Sequence, residues 1–196
     1  MMAGGRTGFI QGHVGVAEVA NLDAQLGGGD FLRDADGATL PTFGGTMGEF
    51  FVNRDGHLRL GVEGGFNLAW DNDRQLRLGG SGFSSTAEEV DLVFMDAFVG
   101  LSLDLALGRR FRLYAGSGPL LQYGELSFEG ADDIQQSFES GFGTGIYART
   151  GFEFELQPGS WIGLGLRWFD SRLDLGAGAD LDLEATELLF TASNRW

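Results

Sequence analysis

The sequence predicts an all-β protein: an eight-stranded, antiparallel, up-and-down transmembrane β-barrel that forms one domain over residues 1–196. The first observation is that apolar residues alternate with polar or small residues over long stretches, which indicates strands with one apolar face. The second is that 34 of the 196 residues are glycine, without a collagen-like repeat and with 12% aromatic residues. The third is that no apolar run approaches the roughly 18 to 20 residues of a membrane-spanning helix. Barrels cross membranes with half-apolar strands instead.

Four strands are predicted from strict alternation. Between His57 and Trp70 the even positions are apolar apart from Gly64, whereas the odd positions are polar, charged or small. An amphipathic helix would instead repeat every three to four residues. The same pattern recurs in Glu139–Glu155, Trp161–Phe169 and Glu187–Trp196.

Four more strands are predicted from weaker alternation, in Thr7–Val19, Phe43–Val52, Val90–Leu105 and Phe111–Ser127. The segment Phe43–Val52 has apolar residues on both faces. Pro119 predicts a bulge or an interruption in its strand, because proline cannot donate a hydrogen bond to a neighbouring strand. These segments bring the number of strands to eight.

Short and long connections alternate between the predicted strands. Residues 53–56, 108–110 and 157–160 contain the Gly or Pro of tight turns. The other connections are the long polar segments 21–41, 71–89, 128–137 and 170–184, whose formal charges are −3, −2, −3 and −4. These four segments carry −12 of the net charge of −15. The sequence therefore predicts a barrel with one trimmed end and one acidic end.

This organisation resembles the eight-stranded outer-membrane barrels of the OmpA/OmpW-like superfamily. The stretch Phe111–Gly118 is similar to a recurring strand of that group, and the last ten residues are similar to the C-terminal signal of such barrels. In that signal Phe190 and Trp196 match apolar and terminal aromatic positions, whereas Asn194 departs from the usual apolar residue. The resemblance implies an outer-membrane location, long loops outside the cell and termini in the periplasm. It also implies membrane lipid, lipopolysaccharide and the barrel-assembly machinery as partners.

A soluble, lipocalin-like binding barrel is the alternative that inverts the two faces. It would place Trp70 and Trp168 inside, and it would expose Arg149, Arg167 and rows of glycine. The interior of an eight-stranded barrel is only wide enough for side chains, so inward glycines make room for charged neighbours. Outward aromatic residues near both strand ends fit two interfacial girdles. These features favour the membrane barrel.

A charged lumen, meaning the barrel interior, follows from that choice. The inward set contains Glu49, Arg59, Glu63, Asp96, Arg149, Arg167 and Glu187 at middle heights. Nearer the turns it contains Asp104, Arg112, Glu153, Glu155 and Arg195. Charges in a narrow interior must pair or be hydrated, and guanidinium groups suit carboxylates. Two interpretations remain open: a static ion-pair network that fills the barrel, and a gate or narrow polar pore.

Several function classes are excluded or disfavoured. The charge of −15 argues against a nucleic-acid partner, and the absence of cysteine excludes disulfides and thiolate metal sites. The acidic segments lack the spacing of a calcium-binding EF-hand, so no metal or cofactor is expected. The only histidines, His13 and His57, lack a paired nucleophile pattern, so no enzyme is expected. The expected role is structural or surface-interacting, or that of a minor pore. The alternative is a narrow channel for small or hydrophobic solutes, as in OmpW-like barrels.

Overall fold

Nine antiparallel strands build the protein in a computed structural model that describes residues 7–26, 30–33, 38–54, 57–79, 87–129, 138–176 and 179–196. The strands are β1 (Thr7–Leu26), β2 (Asp30–Arg33), β3 (Ala38–Arg54), β4 (Leu58–Gly79), β5 (Ala87–Ala106), β6 (Phe111–Glu129), β7 (Phe138–Gln157), β8 (Ser160–Gly176) and β9 (Ala179–Arg195). Each strand from β3 to β8 pairs with the next along the chain. Pairing of β1 with β9 closes the sheet into a barrel.

The short strand β2 and the long strand β3 share one place in this barrel. Both are antiparallel to β1, and both pair with β4. Strand β2 pairs with the C-terminal ends of β1 and β4, whereas β3 pairs with the preceding parts of these two strands. They therefore occupy one strand position of the barrel, and residues 34–37 between them lie outside the described residues. The predicted closed, eight-stranded antiparallel barrel is confirmed.

The three tight turns lie at one end of the barrel, named here the turn end, and the opposite end is named the loop end. Gly108 and Gly159 both have φ of 85°, in the left-handed region that residues with a side chain rarely adopt. Each lies in a predicted turn, between β5 and β6 and between β7 and β8. In the turn between β3 and β4, residues 55–56 lie outside the described residues.

Towards the loop end the strands are longer than the alternation of apolar and polar residues suggested. Strand β8 continues to Gly176 and β9 begins at Ala179, so the prediction of a long loop over 170–184 was wrong. Strands β1, β4, β5 and β6 likewise extend into or beyond the other segments predicted as loops. A strand needs about 9 to 11 residues to cross a membrane, whereas β3 has 17 and β4 has 22. Both strands therefore exceed the length that a membrane crossing requires.

The outer surface carries a continuous apolar belt. Its side chains include Ile10, Met47 and Leu101, which are 51%, 64% and 67% exposed. Bulky apolar side chains open to the surroundings on every long strand are what a lipid-facing surface requires. The belt uses the face that the sequence predicted to point outward.

Two irregularities explain ambiguous parts of the sequence pattern. Pairing of β6 with β5 pauses between the pairs Leu101–Ser117 and Phe98–Leu120 without a change of register, because Pro119 has no N–H to donate. The predicted feature is thus an interruption. In β3 a register shift at Phe51 leaves both Phe51 and Val52 exposed. This bulge puts consecutive apolar residues on one face.

Within the described ranges, no helix is both long enough and apolar enough to span a membrane.

Candidate functional site

Inward-facing side chains fill the lumen in three layers along the barrel axis. A floor at the turn end combines Phe9, Phe50 and Trp161 with Arg59, Arg112 and Arg195. The middle layer is a polar network. The third layer, toward the loop end, is apolar.

The first centre of the network is the pair of Arg149 on β7 and Glu63 on β4. Arg149 donates from Nε to Glu63 Oε1 over 2.8 Å and from Nη2 to Oε2 over 2.7 Å. Tyr147 donates from its hydroxyl to the same carboxylate over 2.9 Å. A Cβ atom at Gly116 would overlap this carboxylate, so the missing side chain of that residue makes room for it. The two-pronged geometry satisfies a guanidinium that water cannot reach.

The second centre is Arg167 on β8, which is 1% exposed. Its Nη2 lies 2.6 Å from Asp96 Oδ1 and its Nη1 lies 3.1 Å from Glu187 Oε2. The rings of Phe98 and Phe169 lie 5.2 and 5.1 Å from the guanidinium carbon. Three strands thus converge on one buried cation. Such a charge is tolerable only when it is paired and hydrogen-bonded.

Asn67 extends the network from Glu187 to β1 and β3. Its Nδ2 donates to Glu187 Oε1, and its Oδ1 accepts a 3.0 Å hydrogen bond from the Thr42 hydroxyl. His13 Nε2 lies 3.1 Å from the same oxygen. His13 therefore contacts the side-chain amide of Asn67.

Gln11 links the network to the floor. Its Oε1 accepts a hydrogen bond from Arg149 Nη1, and its Nε2 donates to Glu153 Oε1 over 2.8 Å. Sequence reasoning missed the roles of Gln11, Asn67 and Tyr147. The available signal was their polar character at inward positions of strands whose other inward residues are charged or small.

Ion pairs also connect the side chains of the floor. Arg195 contacts Glu153 Oε2 from Nη2 and Asp104 Oδ2 from Nη1, both over 2.8 Å. Arg112 Nη1 lies 3.4 Å from the same Asp104 oxygen, and its guanidinium stacks 3.4 Å from the ring centre of Trp161. A cavity beside this layer has a volume of about 10 Å³, room for about one water molecule.

The structure brings together most of the residues predicted to share the lumen. Glu63, Asp96, Arg149, Arg167 and Glu187 belong to the network, and Arg59 lies in the floor near the Phe50 ring. Glu49 is the exception, because it is exposed on the outer face of β3 beside Met47. The prediction that it lies in the lumen was wrong. Thr46, Gly48 and Phe50 take the inward positions.

The apolar layer corrects the expectation that the lumen is polar throughout. It is formed by buried side chains that include Val19, Leu40, Leu92, Phe94, Phe98, Phe169, Leu173, Leu175, Leu181 and Leu183. On the outside of the same strand segments the exposed side chains include Glu18, Asp91, Asp170, Asp174 and Asp182. The polarity of the two faces is therefore reversed at the loop end: apolar inside and acidic outside.

Two aromatic side chains mark the level at which the outer face changes. Trp168 Nε1 donates to Glu184 Oε1 over 3.0 Å, and the Tyr123 hydroxyl donates to Glu125 Oε2 over 3.1 Å. Rings with one polar tip are enriched at membrane interfaces. The apolar belt thus ends where the first carboxylates begin.

Beyond this level, Arg172 is an exposed cation within the acidic face of β8 and β9. Its Nη2 lies 2.7 Å from Asp180 Oδ2, and its Nε lies 3.7 Å from Asp182 Oδ1. The hydrogen bond and the negative charge of Asp180 raise the pKa of Arg172, and the charge of Asp182 raises it further. The pair is open to water, so its contribution to stability is small.

The predicted C-terminal signal residues both lie on the outer face. Phe190 is 50% exposed and Trp196 is 68% exposed. The backbone of Trp196 exchanges two hydrogen bonds with that of Gly8, of 3.1 and 3.2 Å. The structure places these side chains facing lipid, and their recognition by assembly machinery stays a prediction. In the part of the chain described, no group of three or more His, Cys, Asp or Glu side chains could hold a metal ion.

Comparison with known proteins identifies the fold. No protein-family model matches the chain, and no curated protein matches it. Among solved structures, the outer-membrane protein OprG from Pseudomonas aeruginosa is similar at a TM-score of 0.57 and 16% identity, over 96% of both chains. A major outer-membrane protein from Thermus thermophilus is similar at a TM-score of 0.53 and 12% identity, over 98% of this chain and 100% of that chain. The chain therefore has the fold of the small eight-stranded outer-membrane β-barrels.

Proposed function

We propose that this protein is a closed, non-enzymatic barrel that presents an acidic surface outside the cell and does not form an open pore. The observation that carries the proposal is the filling of the lumen by three successive layers of side chains. The proposed orientation places the loop end outside and the turn end in the periplasm. Lipid and lipopolysaccharide then surround the belt.

The network supports a static structure over a gate. Arg149 and Arg167 are each held by groups from at least two other strands. Removing one partner of a buried pair leaves an uncompensated charge, which costs about 3 to 5 kcal/mol. A conducting state would have to separate such pairs and also move the apolar layer. The resting barrel is therefore closed to ions.

The loop end supports a role in surface interaction. There the strands project beyond the apolar belt, and their outer face is dominated by carboxylates, with Arg172 as a cation among them. A stable, water-exposed extension on which carboxylates predominate suits contact with basic or cation-bearing surfaces outside the cell. It also repels acidic surfaces.

Recordings in planar bilayers test the closed lumen. We expect the folded, unmutated protein to give no large, steady current, because no continuous aqueous path passes the network and the apolar layer. Arg167→Ala, which leaves Asp96 and Glu187 without their cation, should admit water and raise cation conductance. A large, stable and weakly selective current from the unmutated protein would refute the proposal.

A narrow channel for hydrophobic solutes is the second candidate, and the apolar layer is the observation that favours it. An apolar solute that enters at the loop end would meet leucine and phenylalanine side chains, including Leu92 and Phe94. Saturable uptake of an apolar dye into proteoliposomes, reduced by Leu92→Trp, would favour this channel. Uptake equal to that of protein-free liposomes would favour the closed barrel.

A further inference from the structure

We propose that Glu49 and Trp196 form a binding site on the outer face for a phospholipid with a primary ammonium headgroup. The lipid would occupy the leaflet at the turn end, which the proposed orientation makes the periplasmic leaflet. Its ammonium would sit between the carboxylate and the indole ring, and an acyl chain would lie in the adjoining apolar groove.

One hydrogen-bonded row across three strands builds the headgroup end of this site. Trp196 pairs through its backbone with Gly8 on β1, and Gly8 is the register partner of Glu49 on β3. All three residues point outward. Gly8 has no side chain, and a Cβ atom there would lie 2.8 Å from the indole. The indole therefore lies over Gly8, on the side toward Glu49.

An apolar groove of about 690 Å³ continues from this row along the lipid-facing surface. Its outward lining includes Ile10, Met47, Val62, Gly64 and Val99, together with Glu49 and Trp196 at one end. The lining suits a hydrocarbon chain, and the Glu49 carboxylate stands at one end of it. A groove with an apolar body and one charged end matches an amphiphile of opposite charge.

The depth of Glu49 fits a headgroup and not the hydrocarbon centre. Trp196 and Phe51 are 68% and 66% exposed and belong to the aromatic girdle of the turn end. Such girdles lie at the level of lipid headgroups. Glu49 lies in the same row as Trp196 and two residues along β3 from Phe51. Its carboxylate therefore meets the zone where lipid ammonium groups are found.

The hydrogen-bonding capacity and charge of the headgroup distinguish the phospholipids that this site would bind. A primary ammonium has three N–H donors for the carboxylate, whose oxygens offer about four acceptor positions, so the group can join contacts that Glu49 already makes. It also favours the face of an indole ring. A choline headgroup carries the charge without N–H donors, and a glycerol headgroup leaves the lipid with a net negative charge. The expected order of binding is ethanolamine, then choline, then glycerol.

Native mass spectrometry of the folded, full-length protein in detergent tests this proposal. Phosphatidylethanolamine, phosphatidylcholine and phosphatidylglycerol with identical acyl chains would be added at equal concentration. We expect the ethanolamine lipid to bind about tenfold more tightly than the choline lipid, since charge-assisted hydrogen bonds distinguish them. Glu49→Gln should remove this preference. Glu18→Gln, the same change on an outward carboxylate at the loop end, should leave it intact.

Equal binding of the three lipids by the unmutated protein would overturn the proposal, as would a preference that survives Glu49→Gln. Dimers that form through this face, and that Glu49→Gln dissociates while lipid binding is unselective, would assign the groove to a second copy. Heat-dependent gel mobility would verify that each variant is folded. The lipid readout does not depend on whether the lumen conducts, so this proposal and the closed barrel can fail separately.

Discussion

Two arginines of this barrel, Arg149 and Arg172, show how the same residue type acts differently with burial. Arg149 is 7% exposed and meets Glu63 through two hydrogen bonds. The side chain of Arg172 is 66% exposed and also meets carboxylates. Water screens the second pair and not the first, so only the first is expected to control stability.

Arg149→Ala tests this difference. The variant leaves Glu63 buried without its cation, and we expect the free energy of unfolding to fall by about 3 to 5 kcal/mol. Urea titration of the protein folded into lipid vesicles measures it. Arg172→Ala is the matched control and should leave the titration curve unchanged. Equal curves for all three proteins would mean that the lumen pair is hydrated.

At the residue scale, the sequence predicted which side chains point into the lumen more accurately than it predicted which of them form pairs. Alternation alone assigned Glu63, Asp96, Arg149 and Arg167 to the inward face, because strand geometry fixes side-chain direction at every second position. Their pairing depends on the stagger between strands on opposite sides of the barrel, which local pattern does not encode. Glu49 failed for a related reason: the bulge at Phe51 places both Phe51 and Val52 on the outer face, so simple alternation does not assign the residues of this segment to a face.

Strands β8 and β9 each contain two successive patterns of polarity along their length. Near the turn end β8 and β9 are apolar outside and polar inside, whereas beyond Trp168 and Glu184 they are acidic outside and apolar inside. The first part suits lipid and the second suits water. The period of two residues continues through the change, which is why the strands extend past the membrane.

Leu183→Asn tests whether the loop-end layer is a packed core. Leu183 is 1% exposed, and its replacement removes buried apolar contacts and introduces an amide. We expect a loss of about 2 to 5 kcal/mol in the free energy of unfolding. Asp182→Asn, one residue away on the outer face, should change it by less than about 0.5 kcal/mol. Similar small effects for both variants would indicate a water-filled loop end.

The sequence of the loop end already contains the alternation of these strands. Leu173, Leu175, Leu181 and Leu183 alternate with acidic residues over the segment 170–184, which satisfies the criterion used for the other strands. Its many carboxylates and small residues favoured a polar connection. Length and alternation together identify two strands in this segment.

At the scale of the whole molecule, closure of the sheet depends on the contact of the first and last strands. Pairing of β1 with β9 runs from Phe9–Arg195 to Gln25–Asp180, and the Trp196 side chain adds an interfacial anchor at one end. Because the last strand completes the barrel, the predicted recognition signal lies on the strand that closes the sheet.

Deletion of Trp196 should separate these two effects. We expect assembly in cells to fall more than refolding in detergent, since the residue faces lipid and contributes little to the packed interior. Cell fractionation measures the first quantity and heat-dependent gel mobility measures the second. Phe190→Ala, at the other signal position, should show the same ordering. Equal losses in both assays would make Trp196 a structural residue alone.

The reversal of polarity along the strands also fixes how the barrel responds to membrane thickness. If the barrel moved through the membrane toward its turn end, Asp170 and Glu184 would enter the hydrocarbon. If it moved toward its loop end, part of the apolar belt would be exposed to water. Neither movement can relieve hydrophobic mismatch, which costs a fraction of a kcal/mol per Å. Unless the barrel tilts, the lipids around it must stretch or compress to its height, so that each molecule imposes a local thickness on the membrane it occupies.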